Sequence, residues 1–510
     1  MPTPTASAAA RPPSTGRLLW LLFAVISLAN AWPFAAYEYP PLMDYPSHLF
    51  RAQVISQFHN PSFDYAANFR ITPRPTPNSL GDYLTVGLSK ILPLRAAGKL
   101  VAALAVAMLP LAVWFWIGAV APGRQWWALA AVPLSWSYFL LDGNINFSLS
   151  AVLVFLLWGI LARWDGTLRP KVVVPTAGLM LLIFTGHALV FALACLVMLG
   201  HLVLTRPRSL SCWIAHGIIV VPGGVLAAIW VLSGSLGGDD IVAYVWNYAP
   251  TSKAWWMARA VAPGPWNFFQ RRAWLIGAAL AFLGYALWRA GVGWKQGSRF
   301  AALVPLTCFA SALATTDSAG TAHVDGRLWW LGFLASLALL PALRRRAAIG
   351  AGLAIALVAA GTNLDQADVF ARSQAGLESV EKNFSRMPRG LRLAYIAPIN
   401  ISRALHRCFE YYHITHGGVG PYHLMGNAFT VGHKDHAPPK ADIYAFGVQA
   451  LGPWLDSYDA VLILADQDTP DLAKMLEILK TKGYRQVSPA PFTMLMKPAP
   501  GSTTRPAKEP

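Results

Sequence analysis

Apolar residues in this chain gather into runs at 18–36, 100–119, 126–141, 146–162, 172–185, 188–204, 213–234, 274–290, 300–316, 328–343 and 347–362. A helix needs roughly 20 apolar residues to cross a bilayer. The pattern therefore predicts an α-helical polytopic membrane protein with about eleven transmembrane helices, spanning 18–362. Several runs are short for a straight span, and the pair within 172–204, counted as two spans, has as its alternative a re-entrant segment or a single long kinked helix. The run Leu18–Ala36 follows Arg11 and Arg17, and "ANA" and "FAA" resemble cleavage sites of a signal peptide. Its full-span length favours a retained anchor. Two long segments, 37–99 and 235–272, separate the runs. The second carries "WNYAP" and "KAWWMARAVAPGPWNFF", which suit either an aromatic belt or a groove for a lipid substrate.

After residue 362 the pattern changes. "LRLAYIAP" (391–398) and "YDAVLILA" (458–465) read as buried parallel strands, and "FTMLMKP" as a closing strand. "DTPDLAKMLEILKTKGY" reads as an amphipathic helix with Asp468 or Thr469 as N-cap and Gly483 as C-cap. A small α/β domain over 363–500 with its own core is expected. No Gly-rich loop follows a strand, which argues against nucleotide binding. The tails, 1–17 and 501–510, are disordered by composition.

Composition places the runs in lipid: of 510 residues 55% are hydrophobic and only 13% charged, and the mean hydropathy is +0.43. A net charge of +17 and a pI near 9.9 raise the question of nucleic acid. The cations answer it by falling into alternate loops: Arg124; Arg163, Arg169 and Lys171; Arg206 and Arg208; Arg289, Lys295 and Arg299; Arg344, Arg345 and Arg346. This is the positive-inside pattern, and it puts the N-terminus inside and residues 363–510 outside. The other loops collect Asp44, Asp64, Asp82, Asp239, Asp240 and Asp317. Cys195 and Cys308 lie within apolar runs, Cys212 flanks one, and Cys408 stands alone in the soluble part, which excludes a disulfide inside that part. No CxxC or HExxH spacing suggests zinc.

The chemistry-bearing residues share the outward side. In "YEYPPLMDYPSHLFRAQVI", Pro46 is placed to begin a helix with Asp44 just ahead and His48 and Arg51 following at spacings of four and three, so all three reach one side of the helix start. The plainer reading is that Asp44 caps the helix and Arg51 snorkels to headgroups. "DGNINFSLS" offers Asp142, Asn144 and Asn146; "TGHALVF" offers His187; "AHVDGRLWW" offers His323, Asp325 and Arg327. Each alone suits ordinary loop hydrogen bonding, and their common side is the informative part. The stretch 411–436 holds His413, His416, His423, His433 and His436 at no standard zinc spacing, and its Gly and Tyr content reads as a surface loop over the membrane mouth.

On the acidic residue soon after the first span, in "MDYPSHLFRA", and on the plan of many spans with a C-terminal outer domain, the chain resembles the GT-C superfamily of membrane glycosyltransferases, which use polyprenyl-phosphate sugars. The resemblance implies transfer of a sugar from a polyprenyl-phosphate donor to a glycan, lipid or protein acceptor at the outer face of a bacterial inner membrane, by an inverting reaction. It implies Asp44 as general base with His48 at the catalytic centre, and Arg51, His187 and Arg327 at the donor phosphate. Asp142, Asn144, Asn146, His323 and Asp325 would line the acceptor cavity. A divalent cation, Mg or Mn, between Asp44, Asp142 and phosphate is compatible with these groups, though no spacing demands it. Two other classes are weighed beside it. A transporter or flippase of an amphipathic lipid would show internal repeats and ionisable groups at mid-membrane depth, and no convincing repeat is present. A ligase or acyltransferase would use the same lipid-phosphate logic with His187 as base.

Overall fold

The structure, a computed structural model, describes residues 14–205, 209–235, 299–314, 324–397, 402–420, 430–434, 448, 451–465, 469, 471–488 and 492–497. The predicted run 274–290, nearly all of the Trp-rich segment 235–272, His323, His423, His436 and the tail 501–510 lie outside the described residues, as do 1–13 of the other tail.

The apolar runs become helices. In chain order these are α1 (Ser14–Ala29), α2 (Trp32–Ala36), α3 (Tyr45–Gln57), α4 (Tyr65–Asn68), α5 (Leu80–Leu88), α6 (Leu94–Val120), α7 (Ala131–Leu134), α8 (Tyr138–Leu141) and α9 (Ile145–Arg163). Then follow α10 (Pro170–Gly186), α11 (Ala188–Thr205), α12 (Leu210–Trp230), α13 (Arg299–Ala314), α14 (Val324–Ser336) and α15 (Arg345–Phe384). Among the described residues five helices are long and apolar enough to cross a bilayer, including α6, α9, α11 and α15. Large apolar side chains on α11 and α12, such as Leu199, Val203, Val221 and Val225, face outward, as a lipid environment allows. The bundle core behind them is built on Trp116, Trp127, Trp158, Phe155 and Phe300.

Two expected spans differ in detail. The run 126–141 is no single helix: a tight helical stretch over Gln125–Ala130 leads into α7, and the chain is extended at Ser137, whose Oγ accepts from the Leu140 N–H to start α8. Ser137 makes a capping bond that competes with helix continuation. The segment still runs the length of the bundle, with Arg124 and Trp127 donating to the Leu340 and Pro341 carbonyls at one end and Asp142 beside Asp44 at the other. The pair 172–204 is broken at His187, which is extended (φ −160, ψ 122) between α10 and α11, so it is not a single continuous helix.

The composition boundary at 362 falls inside α15, whose 40 residues continue from the apolar run into the C-terminal part. There the strands β2 (Leu393–Ile396), β4 (Ala460–Leu464), β5 (Arg485–Ser488) and β6 (Phe492–Met496) form a sheet in the order β2-β4-β6-β5, with β2 and β4 parallel as expected and β6 antiparallel to β4. Between β2 and β4 lies α16 (Glu410–His416), and after β4 comes α17 (Leu472–Thr481). The expected cap moves: Asp471 (φ 67) precedes α17, while Gly483 (φ 84) sits just past Lys482 and closes the helix end as the left-handed residue, with the Tyr484 N–H donating to the Leu479 carbonyl.

The sheet region has a core of its own, built on Ile396, Val461, Ile463, Met475, Leu479 and Leu495, and it shares a second cluster with the rest of the chain. That second cluster joins Leu42, Tyr45, Leu49 and Phe50 of the first long segment with Phe370, Phe384, Tyr395, Tyr411 and Tyr412. β1 (Phe69–Ile71) also pairs antiparallel with β3 (Val431–His433), tying 37–99 to the C-terminal part through backbone hydrogen bonds. Residues 411–416, expected as a surface loop, are instead a helix packed on α3, because Tyr411, Tyr412 and His413 are apolar or internally bonded enough to be buried. The His413 ring nitrogen Nδ1 lies 3.0 Å from the Gly417 carbonyl oxygen.

Candidate active site

A single turn, 141–144, organises the site. The Met43 and Asp44 N–H groups donate to the Leu141 and Asp142 carbonyls, at 3.1 and 3.3 Å, so the start of α3 lies against the turn. Gly143 has φ +88, and a Cβ there would stand 2.3 Å from the Asp44 nitrogen. Only glycine allows both that backbone angle and that approach. α3 is itself pressed onto α6 at Gly98, where a Cβ would fall 2.4 Å from Leu49.

Asp44 occupies the N-cap place of α3, yet its side chain makes no capping hydrogen bond. Pro46 at the second helical position has no N–H to offer, which removes one of the two donors an N-cap side chain can satisfy. The carboxylate turns instead to Arg407, whose Nε is 3.4 Å from Asp44 Oδ1. His48 and Arg51 do reach one side of the helix, as their spacing predicts, but their shared partner is Asp82 of α5. His48 Nδ1 lies 2.7 Å from Asp82 Oδ1, Arg51 Nε donates to Oδ2 at 2.7 Å and Arg51 Nη2 to Oδ1 at 3.3 Å. The other ring nitrogen of His48, Nε2, faces the Gly143 carbonyl at 3.1 Å. Burial pushes the Asp82 carboxyl up, but the charges of Arg51 and His48 and their hydrogen bonds outweigh it and hold it below the usual carboxylate range. Arg51 is fully buried in this pairing and therefore does not snorkel.

Across the same turn stands the second cation. Arg327 of α14 donates through Nη2 to Asn144 Oδ1 at 2.8 Å, and its Nη1 is 3.0 Å from His187 Nε2. A guanidinium has only donors, so His187 Nε2 is the acceptor and the ring proton sits on Nδ1. That Nδ1 is buried and has no hydrogen-bond partner among the described residues. The guanidinium carbon lies 5.4 Å from the Phe147 ring centre, and the His187 ring meets Phe147 edge-on at 5.4 Å.

Of the other expected residues, Asn146 is a clamp: its amide accepts from the Gly81 N–H at 2.6 Å and donates to the Asn78 carbonyl at 2.7 Å, fixing the entry to α5. Asp142 is half-buried in the turn, where its carbonyl holds Asp44. Asp325 falls on α14 beside Arg327 by sequence. Sequence reasoning missed Arg407 and Glu410, and named Asp82 only as one outward acid among several. Glu410 Oε1 accepts from Ser47 Oγ at 2.8 Å, and burial pushes its carboxyl up to about 7 against the opposing pull of Arg407, Ser47, Arg51 and His48. Among the described residues no three of His, Cys, Asp and Glu converge to hold a metal ion.

No known protein family matches the chain, and no curated protein matches it. Two solved structures do. The crystal structure of ArnT from Cupriavidus metallidurans bound to undecaprenyl phosphate aligns with a TM-score of 0.57 and 12% identity, covering 96% of this chain and 99% of that one. The apo form of the same protein gives a TM-score of 0.53 at 12% identity, covering 94% and 98%. At that identity the likeness speaks for the fold, and it runs nearly end to end. The chain thus has the fold of ArnT.

Proposed function

We propose that this protein is a membrane glycosyltransferase that moves a sugar from a polyprenyl-phosphate donor to an acceptor at the outer face of a bacterial inner membrane, by an inverting displacement with Asp44 as general base. In this reading its N-terminus is cytoplasmic, about eleven helices span the bilayer and the C-terminal sheet region forms an α/β domain outside. The observation that carries it is the buried His187 Nδ1–H, which has no acceptor among the described residues and whose ring is fixed by Arg327, itself bonded to Asn144 of the turn that holds Asp44. A buried donor left unmade costs about 1–3 kcal/mol. A phosphate oxygen placed against that N–H would satisfy the donor, and the Arg327 guanidinium beside the ring would offset the negative charge of the departing phosphate as the glycosidic bond breaks. That the fold partner ArnT was crystallised with undecaprenyl phosphate fits the same ligand.

Asp44 stands on the other side of the turn, with about a fifth of its side chain open. There it would take the proton of the acceptor hydroxyl as that oxygen attacks the anomeric carbon. His187 does not suit the base of a ligase, since Nε2 already accepts from Arg327 and Nδ1 already carries the proton. The test is transfer of label from radiolabelled undecaprenyl-phosphate sugars by the purified protein in liposomes. Asp44→Asn keeps the shape of the residue and should lose roughly 10²-fold or more in turnover at unchanged folding. Full transfer by Asp44→Asn would remove the base from this mechanism.

A further inference from the structure

We propose that Arg407, contributed by the C-terminal sheet region, is a positioning residue for the Asp44 carboxylate, so that this region completes the active site. The inference rests on the reading of Asp44 as general base.

Two contacts join the segments, at matching intervals. Arg407 meets Asp44, and Glu410, three residues on, meets Ser47, three residues beyond Asp44. Paired rungs of equal spacing fix the register of 407–410 along the first turn of α3. The segment is anchored from behind: Cys408 and Phe409 are buried, the Phe409 ring stacks on Tyr395 of β2 at 4.9 Å, and the Tyr395 hydroxyl donates to the Leu405 carbonyl at 2.7 Å. Arg407 is thus held by the sheet and only 8% of its side chain is exposed.

Asp44, in contrast, has little else to orient it. It makes no capping bond, and among the described residues its buried Oδ1 has no hydrogen-bond partner, so the guanidinium 3.4 Å away is the ionic contact that this oxygen faces. A carboxylate with one oxygen fixed by a cation presents the other in a defined direction, and a base held within a few tenths of an ångström of its productive place reacts far faster than one that swings. At 3.4 Å the contact is an ionic one and longer than a firm hydrogen bond.

The experiment measures turnover and donor KM of Arg407→Ala, Arg407→Gln and Arg407→Lys in liposomes with radiolabelled undecaprenyl-phosphate sugars, alongside Asp44→Asn. The proposal expects kcat of Arg407→Ala to fall by about 10- to 100-fold, the cost of a displaced catalytic group, with donor KM within about twofold of the parent. Arg407→Lys should recover part of the rate, and added guanidinium ion should raise turnover of Arg407→Ala but not of Asp44→Asn. A residue that only glued the domains together would lower the melting temperature of all three variants without splitting kcat from KM or answering to guanidinium. Raised donor KM with intact kcat would make Arg407 a phosphate contact and overturn the proposal. Full activity of Arg407→Ala beside an inactive Asp44→Asn overturns it alone. Full activity of Asp44→Asn overturns the general-base reading, and this inference with it. If Arg407→Ala does not fold, the kcat of the Lys and Gln variants decides: equal rates for the two would sink the role of the cation.

Discussion

Two histidines at the same end of the bundle each stand beside an arginine, and they differ in what their second ring nitrogen meets. His48 has Asp82 at Nδ1 and the Gly143 carbonyl at Nε2, and its neighbour Arg51 donates to the same buried carboxylate and lies 2.8 Å from His48 Nδ1 through Nη2. His187 accepts from Arg327 at Nε2 and has no acceptor for its Nδ1–H among the described residues. The first set is a closed knot of charge whose energy is already used in holding α3 against α5. The second holds a donor in reserve. Sequence position alone gave both arginines the same job at a donor phosphate, yet only the His187 side keeps a group unanswered for a ligand to meet.

The largest expected effect breaks the closed knot. Asp82→Asn leaves Arg51 buried without its counter-charge, and removing one member of a buried pair costs about 3–5 kcal/mol. The variant should be recovered poorly or melt far below the parent in detergent, followed by fluorescence-detected size exclusion across temperature. Replacing both ends, Asp82→Leu with Arg51→Met, should restore much of the stability, because no lone charge then remains. A parent-like melt of Asp82→Asn would show that the knot is not closed against water.

A smaller effect, of opposite sign in pH, comes from the seam beside it. The Glu410 carboxyl is raised to about 7 from an ordinary 4.5, mainly by burial. A carboxyl that binds its proton more tightly when folded gives stability that is full at low pH and is lost as pH rises through the folded value. Stability should therefore fall between about pH 4.5 and 7, by up to about 3 kcal/mol from 1.36 kcal/mol per unit. Asp82, held low, acts the other way and only at more acid pH. Thermal melts across pH 5 to 8 should slope downward for the parent and flatten for Glu410→Gln. An equal slope in both would assign the drift to another group.

Much of this fold could be read from the chain. The apolar runs at 100–119, 146–162 and 172–185 lie within α6, α9 and α10, and the two runs of β-branched and leucine residues became the parallel strands β2 and β4. Local order is what such patterns record. The run 126–141 was misjudged because a serine cap at Ser137 interrupts it, and the boundary at 362 because a helix can leave lipid without breaking. In the site, the i, i+3 and i, i+4 spacing rightly put His48 and Arg51 on one side of α3. It could not name Asp82, 31 residues beyond Arg51, or Arg407, which stands in "RCFE" just before the histidine-rich stretch that drew attention away from it. Those pairings belong to tertiary contacts, for which one sequence carries no period.

The mildest expected change in stability is the sharpest test of the comparison. His187→Met removes the buried Nδ1–H that lacks a partner, which relieves a cost of about 1–3 kcal/mol, and it takes away one acceptor of Arg327, which restores a cost of similar size. The two nearly cancel, so the melting temperature should stay close to the parent's. Binding should not. If the N–H awaits a phosphate oxygen, losing a charge-assisted hydrogen bond worth about 1.5–3 kcal/mol weakens undecaprenyl phosphate by roughly 10- to 100-fold. That loss is read as a rise in Kd and as a diminished thermal shift on adding the lipid. His48→Met should show the reverse, a lower melt at a lipid affinity changed little, because both nitrogens of His48 are spent on the protein. His187→Gln, which can accept from Arg327 and still donate, should recover part of the affinity. Parent-like lipid binding by His187→Met would mean that the unanswered N–H is a packing cost and not a ligand contact, and the two histidines would then differ in geometry alone.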